Sequence, residues 1–199
     1  ISMHIYSSWR GSPAASHDAT GPTGSRFILA GILAMVPVMT LYAMALEPVR
    51  IGERLPSLRG EFLTGRNAAL PEASTGKTTL LLLGFTYASR DAVEPWGEWF
   101  RTEMSGRPDV TFFEVPMIDG LAKLGRWFID RGMRKGTPQE LHENVMTVYG
   151  GTGDWKRRLG VTDTNDEDAF LILLDRQGVV RWLHHGPFDA AMATLLKNQ

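Results

Sequence analysis

The chain has 199 residues, of which 43% are hydrophobic and 22% are charged, a composition typical of a globular protein with one well-buried domain. It carries 21 Lys and Arg residues and 22 Asp and Glu residues, so its formal net charge of -1 supplies no basic field for binding nucleic acid. It contains no cysteine, which excludes disulfides, thiolate catalysis and thiolate metal sites.

Two segments of different character precede the main domain. Residues 1–26 are rich in Ser, Gly, Ala and Pro without apolar periodicity, which predicts a disordered N-terminal tail. Residues 27–46, FILAGILAMVPVMTLYAMAL, are uncharged and long enough to cross a hydrocarbon core of ~30 Å. They predict a transmembrane or signal-anchor helix rather than a buried core helix, because Pro37 would break a soluble helix more readily than a lipid-embedded one.

The apolar run also sets the expected location of the protein. Two arginines precede it, so we expect the tail in the cytoplasm or its topological equivalent, and residues 47–199 in the periplasm or an equivalent compartment. The motif AMA that ends at Ala45 fits a signal-peptidase site. Export after cleavage at Ala45 is therefore an alternative to a retained single-pass anchor.

Residues 47–199 have the composition of one compact α/β domain. Residues 49–73 alternate turn signals with short apolar pieces, which predicts a hairpin with turns at Gly60 and Gly65. Residues 78–85, TTLLLLGF, are a continuous apolar run, which predicts a central strand covered on both faces.

A strand and helix pattern repeats after this first strand. A helix should follow with Asp91 as its cap, because four apolar residues recur at spacings of three and four: Val93, Trp96, Phe100 and Met104. Residues 110–119, VTFFEVPMID, predict the next strand, and Leu121, Leu124 and Phe128 mark the apolar face of a second helix.

The C-terminal part of the chain predicts shorter elements. The capping box TPQE at residues 137–140 predicts a helical turn, and NVMTVYGG predicts a short strand. DWKRRLGV predicts a short helix that ends at Gly160, although residues 150–168 as a whole resemble a flexible loop. Residues 169–186 predict two strands joined by a tight turn at 176–178, and DAAMATLLKN predicts a final helix.

Gly76-Lys77-Thr78 resembles the end of a phosphate-binding loop. Such a loop follows a strand and opens a helix, so that backbone N–H groups face the phosphates. Here the glycine and lysine precede the predicted strand, and Pro71 stands where the first glycine of the motif belongs. The sequence therefore predicts no nucleotide site.

The order of elements over residues 78–198 resembles the thioredoxin superfamily, including its peroxiredoxin and membrane-tethered branches. FTYAS, at residues 85–89, is similar to the peroxiredoxin motif, with Ser89 at the position of the peroxidatic Cys. LGFT, at residues 83–86, is similar to the copper-chaperone branch. The resemblance implies a thioredoxin-like, peroxiredoxin-type mixed sheet flanked by helices, preceded by one N-terminal hydrophobic helix.

The redox positions implied by this resemblance hold no thiol. Ser89, Arg90, Asp91 and Ala92 occupy the stretch of the usual Cys-x-x-Cys, and a serine hydroxyl without a general base is no nucleophile for disulfides or peroxides. Glu167-Asp168 replaces the cis-proline that normally adjoins the redox site. We therefore expect no catalytic residue and no cofactor, and these four positions become candidates for partner binding, unless Asp91 only caps the helix and Arg90 is an exposed neighbour.

One branch of the superfamily already lacks the redox pair: the mitochondrial assembly factors of the F-type ATP synthase. Three stretches resemble that family: RLPSLRGEFLTGRNAAL at residues 54–70, VPMIDGLAKLGRWFIDRGMRKG at 115–136 as a long second helix, and DEDAFLILLDRQGVVRWLHHG at 166–186. The resemblance implies a membrane-tethered protein that binds a membrane protein or peptide and helps assemble a membrane complex.

Tryptophans and histidines are further candidates for binding sites. Trp96 and Trp127 are expected on buried helix faces, whereas Trp99 lies off the apolar stripe and is the candidate surface contact. His184-His185 suggests metal, but neighbours on a strand point to opposite faces, so we expect no metal site. The alternative functions are a redox accessory related to peroxiredoxins or thiol-disulfide oxidoreductases, and a metallochaperone.

Overall fold

The structure of the protein is a computed structural model that describes residues 46–104, 106–119 and 125–198. The tail predicted at residues 1–26, the apolar run up to Ala45, and the side chains of Leu121 and Leu124 lie outside the described residues. Within the described residues, no helix combines the length and the apolar character that crossing a bilayer requires.

In these ranges the chain forms seven strands and four α-helices. In chain order they are β1 (Leu58–Phe62), β2 (Asn67–Leu70), β3 (Thr78–Gly84), α1 (Arg90–Glu103), β4 (Val110–Ile118), α2 (Arg126–Gly136), β5 (Met146–Tyr149), α3 (Thr152–Leu159), β6 (Ala169–Leu174), β7 (Val180–Gly186) and α4 (Ala190–Lys197). Short 3-10 turns occupy Glu72–Ser74 and Gln139–Leu141.

The strands form one mixed sheet in the order β2-β1-β5-β4-β3-β6-β7. The three central strands β5, β4 and β3 run parallel to one another, whereas β1 pairs antiparallel with β2 and β5. On the other side β6 pairs antiparallel with β3 and β7. The predicted central mixed sheet flanked by helices is therefore confirmed.

β3 supplies the core on both faces of the sheet. Side chains alternate along a strand, so Leu81 and Leu83 enter one apolar cluster and Leu80 and Leu82 enter the other. All four are fully buried, which confirms the prediction of a central strand covered on both faces. The second cluster is completed by α1 and α4, among other elements, so both helices pack on the same face of the sheet.

The predicted N-terminal hairpin is present, but only one of its two glycines lies in the turn. Gly65 has a φ of +90° between β1 and β2, a backbone conformation that favours glycine. Gly60 instead lies inside β1, so its prediction as a turn residue was wrong. A Cβ there would come within 2.7 Å of the Thr147 carbonyl oxygen, so glycine allows β1 and β5 to approach closely.

α1 begins two residues earlier than it would with Asp91 as its cap. Ser89 is the residue before the helix, and it already has helical backbone angles, with φ -61° and ψ -13°. Asp91 therefore lies within the first turn, where its charge favours the helix N-terminus without capping it. The prediction that Asp91 caps the helix was wrong.

The stretch 115–136 is not one long helix. Val115 and Met117 are buried in β4, whose parallel pairing with β3 extends to Pro116, and α2 begins only at Arg126. The capping box at 137–140 gives a 3-10 turn in which no side chain caps the backbone.

Residues 150–168 are not a loop throughout. α3 occupies Thr152–Leu159, and it ends at Gly160 with a φ of +69°, as the short-helix prediction required. The 176–178 turn and the final helix are also confirmed, and Asp189 caps α4 by accepting hydrogen bonds from the backbone N–H groups of Ala191 and Met192.

Candidate functional site

A cleft of about 710 Å³ opens where the turn after β3 meets the start of α1. Its other walls are the C-terminal end of β4 and one side of α2. Most of the lining is apolar and includes Phe85, Met117, Ile118, Phe128, Ile129 and Met133. The cleft thus lies beside the positions that the thioredoxin resemblance assigns to the redox pair.

Ser89 is only 1% exposed, so its side chain does not face solvent. Its hydroxyl donates to the Thr86 carbonyl oxygen at 2.7 Å and accepts from the Thr86 backbone N–H at 3.3 Å. In return, the Ser89 backbone N–H donates to Thr86 Oγ1 at 3.1 Å. These reciprocal bonds close the turn before α1, and they leave Ser89 with a structural role.

The other three redox-turn positions differ in their environment. Arg90 lines the cleft and forms an ion pair with Glu94 one turn further along α1. Asp91 is exposed, and Ala92 packs partly buried against the core cluster under α1. Of the four residues predicted as candidate contacts, only Arg90 therefore presents its side chain to the cleft.

Glu114 is the only charged residue of β4, and its side chain lines the cleft beside α1. It lies against Gly97, where a Cβ would contact Glu114 Oε1, so the glycine leaves room for the carboxyl group. Burial raises the pKa of Glu114 to about 7, against the opposing attraction of Arg101. Among the residues that the structure describes, none forms a hydrogen bond or ion pair with this carboxyl group.

α2 is held against the sheet by polar contacts. The Tyr149 hydroxyl donates to Asp130 Oδ1 at 2.6 Å, and Arg134 Nε donates to the Leu63 carbonyl oxygen at 2.7 Å. Arg126 forms an ion pair with Glu61 and lies 4.6 Å from the centre of the Tyr149 ring. Burial and the bond to Asp130 raise the pKa of Tyr149, so the phenol stays protonated as the donor.

This anchoring fixes which aromatic side chains are exposed. Trp96 is fully buried, as predicted, but Trp127 is 59% exposed, so the prediction that it is buried was wrong. Phe128, predicted on the apolar face, is 74% exposed at the edge of the cleft. Trp99 is half-buried beside Trp96, with ring centroids 6.1 Å apart, and offers less free surface than the sequence suggested.

The two adjacent histidines point to opposite faces of β7, as predicted. His185 Nδ1 lies 2.7 Å from Asp168 Oδ2, and the His185 ring stacks on Phe170. His184 stacks on Trp182, and burial lowers its pKa. Within the described ranges, His, Asp and Glu side chains nowhere form a group of three that could hold a metal ion.

Sequence reasoning missed several cleft residues. Glu114 could have been noticed as the one charge in an otherwise apolar strand, a position where a carboxylate is costly unless it has a use. Tyr87, which is 88% exposed, gave a weaker signal as an aromatic residue in a turn. Phe128 and Met133 gave none, because their places depend on how α2 is anchored.

The fold is similar to those of solved thiol-disulfide oxidoreductases. A protein assigned as the thiol:disulfide interchange protein DsbE of Chlorobium tepidum superposes with a TM-score of 0.51 and 20% identity, over 75% of this chain and 94% of the other. The thioredoxin domain of a thiol-disulfide oxidoreductase from Bacteroides vulgatus superposes with a TM-score of 0.50 and 16% identity, over 75% of this chain and 97% of the other. No protein-family model matches the sequence, and no curated protein matches it either.

These similarities show the class of fold. The chain has a thioredoxin-like α/β fold with a central sheet flanked by helices, and it contains no cysteine. The hydrophobic helix expected before the domain falls among residues outside the described part of the chain.

A thiol placed at position 89 is not expected to be reactive. The thiol of Ser89→Cys should react with Ellman's reagent at least about tenfold more slowly than that of Tyr87→Cys, because position 89 is 1% exposed and position 87 is 88% exposed. Stopped-flow absorbance on the two folded variants measures both rates. Equal rates would show that the turn opens readily and that Ser89 is accessible.

Proposed function

We propose that this protein is a non-catalytic, thioredoxin-like binding protein that holds a segment of a membrane protein or peptide in the cleft beside the cysteine-free turn. One observation carries the proposal: an apolar cleft of about 710 Å³ lies beside the turn that the resemblance assigns to the redox pair, in a chain without cysteine. A concave, mostly apolar site with a few polar groups is the usual form of a binding site.

The exposed aromatic residues at the cleft support this function. Tyr87 and Phe128 line it and are 88% and 74% exposed, so both rings would lose apolar surface to water on binding a partner. Aromatic residues of this kind contribute a large share of the affinity at protein interfaces. Neither contact needs a nucleotide, a nucleic acid or a metal.

Residues 27–46 would tether residues 47–199 to the membrane, with residues 1–26 as a tail on the other side. Tethering raises the effective concentration of the cleft near membrane partners without stronger contacts. The resemblance to assembly factors makes the membrane sector of the ATP synthase the candidate partner. The proposed work is holding such a partner in position during assembly.

A second candidate is a redox accessory. The fold is that of thiol-disulfide oxidoreductases, so the same cleft would then bind an oxidoreductase or its substrate while the thiols come from the partner. This alternative predicts a cysteine-containing partner of the oxidoreductase class. The assembly function predicts subunits of one membrane complex.

Site-specific cross-linking tests both candidates. The photoreactive residue p-benzoylphenylalanine replaces Tyr87 in the cleft or, as a matched control, Leu195 on α4, which is 50% exposed and outside the cleft lining. The full chain is then irradiated in native membranes, and the products are identified by mass spectrometry. We expect position 87, and not position 195, to yield subunits of a single membrane complex.

The other outcomes separate the candidates. Thiol oxidoreductases as the products specific to position 87 would support the accessory function and refute assembly. The same products from both positions, or none from position 87, would refute a binding function of the cleft.

A further inference from the structure

Glu114 carries an acidic group that the fold does not use. The carboxyl group lies in the cleft against Gly97. The backbone N–H of Glu114 donates to the Asn144 carbonyl oxygen at 2.8 Å. The described residues place no hydrogen-bond donor or ion-pair partner on the side chain. A half-buried acid without a partner is costly in the free protein, and a ligand that supplies the missing donor recovers that cost.

The charged groups that face Glu114 leave its carboxyl group without an ion pair. Arg90 and Glu94 of α1 form an ion pair with each other, so their charges largely cancel. Arg101 of α1 attracts the carboxylate but forms no ion pair with it. The ionised Glu114 carboxylate is therefore the group in the cleft that a cationic ligand can pair with, beside an apolar wall.

We propose that the cleft recognises a polypeptide segment in which a Lys or Arg side chain is flanked by apolar residues, with the cationic group on the Glu114 carboxylate and the apolar residues against Tyr87, Phe128 and Met133. This inference rests on the proposed binding function and names the chemistry of its partner. The long methylene stem of Lys or Arg suits such a cleft, because it packs on apolar surface while its charge reaches the acid.

Ionisation of Glu114 couples this recognition to pH. Because burial holds the pKa of Glu114 near 7, a cationic ligand must first favour the ionised form, so affinity should rise between pH 6 and pH 8. The charged groups that act on this carboxyl group are Arg90, Glu94 and Arg101 of α1. Asp119 lines the same cleft at the end of β4. A ligand that accepts a hydrogen bond from the neutral acid would show the opposite pH dependence.

Peptide selection on the full chain tests the proposal. Random hexapeptides displayed on phage are selected at pH 8 against the unmodified protein, Glu114→Gln, Phe128→Ser and the control Leu195→Ser. We expect the unmodified protein and Leu195→Ser to enrich peptides with Lys or Arg beside apolar residues. Glu114→Gln should lose the basic preference but keep the apolar one, and Phe128→Ser should enrich little.

The affinity of the protein for one selected peptide is then measured. Replacing its Lys or Arg with norleucine should weaken binding by about tenfold or more in the unmodified protein and by less than about twofold in Glu114→Gln, as measured by fluorescence anisotropy. The rise in affinity from pH 6 to pH 8 should also be absent in Glu114→Gln.

Each contrary result has a distinct meaning. Apolar peptides without a basic residue, or an equal basic preference in Glu114→Gln, would overturn this inference while leaving the binding function in place. Affinity that falls from pH 6 to pH 8 would mean that the neutral Glu114 acid donates a hydrogen bond to an acceptor on the ligand. That result would overturn the inference. Enrichment by the unmodified protein no greater than by Phe128→Ser would overturn both proposals.

Discussion

Glu114→Gln should stabilise the protein by about 3 kcal/mol at pH 8 and leave its free energy of unfolding nearly unchanged at pH 4. Burial raises the pKa of Glu114 from 4.5 to about 7, so the folded state holds the proton more tightly than the unfolded state. The contribution of the neutral acid is complete below pH 4.5 and is lost as the pH rises towards 7. Glutamine stays neutral throughout, so its advantage grows over the same window.

Urea unfolding of both proteins at pH 4, 6 and 8 measures this difference. The matched control is Glu98→Gln, because Glu98 is exposed on α1 and its replacement should change stability little at any pH. A difference between Glu114→Gln and the unmodified protein that is the same at all three pH values would contradict the burial of an unpaired acid. The same measurement shows that Glu114→Gln is folded, so loss of binding in that variant cannot come from unfolding.

Much of the fold could be predicted because its strands carry local signals. The run that became β3 is apolar at every position of its centre, and a run of that length is typical of a strand covered on both faces. The β6–β7 hairpin could be predicted equally well, because Gly178 stands between two apolar runs. In the structure Gly178 has a φ of +79°, which suits a tight turn. Pairing between neighbours in sequence needs no knowledge of the rest of the molecule.

The orientation of α2 could not be predicted in the same way. Periodicity placed Trp127 and Phe128 inward, whereas the helix is oriented by Asp130, whose carboxylate accepts the Tyr149 hydroxyl bond. That contact joins residues 19 positions apart, and it outweighs the apolar pattern because leaving a buried carboxylate unpaired would be costly. The error also concealed the cleft, since α2 forms one of its walls.

The candidate site shows a similar division. The position of the redox turn followed from the resemblance, but the burial of Ser89 did not, because it depends on the reciprocal hydrogen bonds with Thr86. The cleft acid was visible only as a charge within β4. The sequence did not show that this charge lies against α1, because its place there depends on Gly97, which leaves room for the carboxyl group.

Trp96→Ala should cost about 3–5 kcal/mol of unfolding free energy, whereas Trp127→Ala should cost less than about 1 kcal/mol. Trp96 is fully buried, and its ring packs edge-on against Phe188 with centroids 4.9 Å apart, so truncation removes a large apolar volume from beneath α1. Urea unfolding of the two variants against the unmodified protein measures both losses.

The comparison separates packing from hydrogen bonding at Trp96. Its indole Nε1 has no hydrogen-bond acceptor within the described part of the chain, so truncation leaves no buried acceptor unpaired and the loss reports the packing of the ring. Trp127, at 59% exposure, keeps much of its surface in water in the folded state and has correspondingly less to lose. Equal losses in the two variants would mean that α2 buries Trp127, and the cleft wall formed by α2 would then have to lie elsewhere.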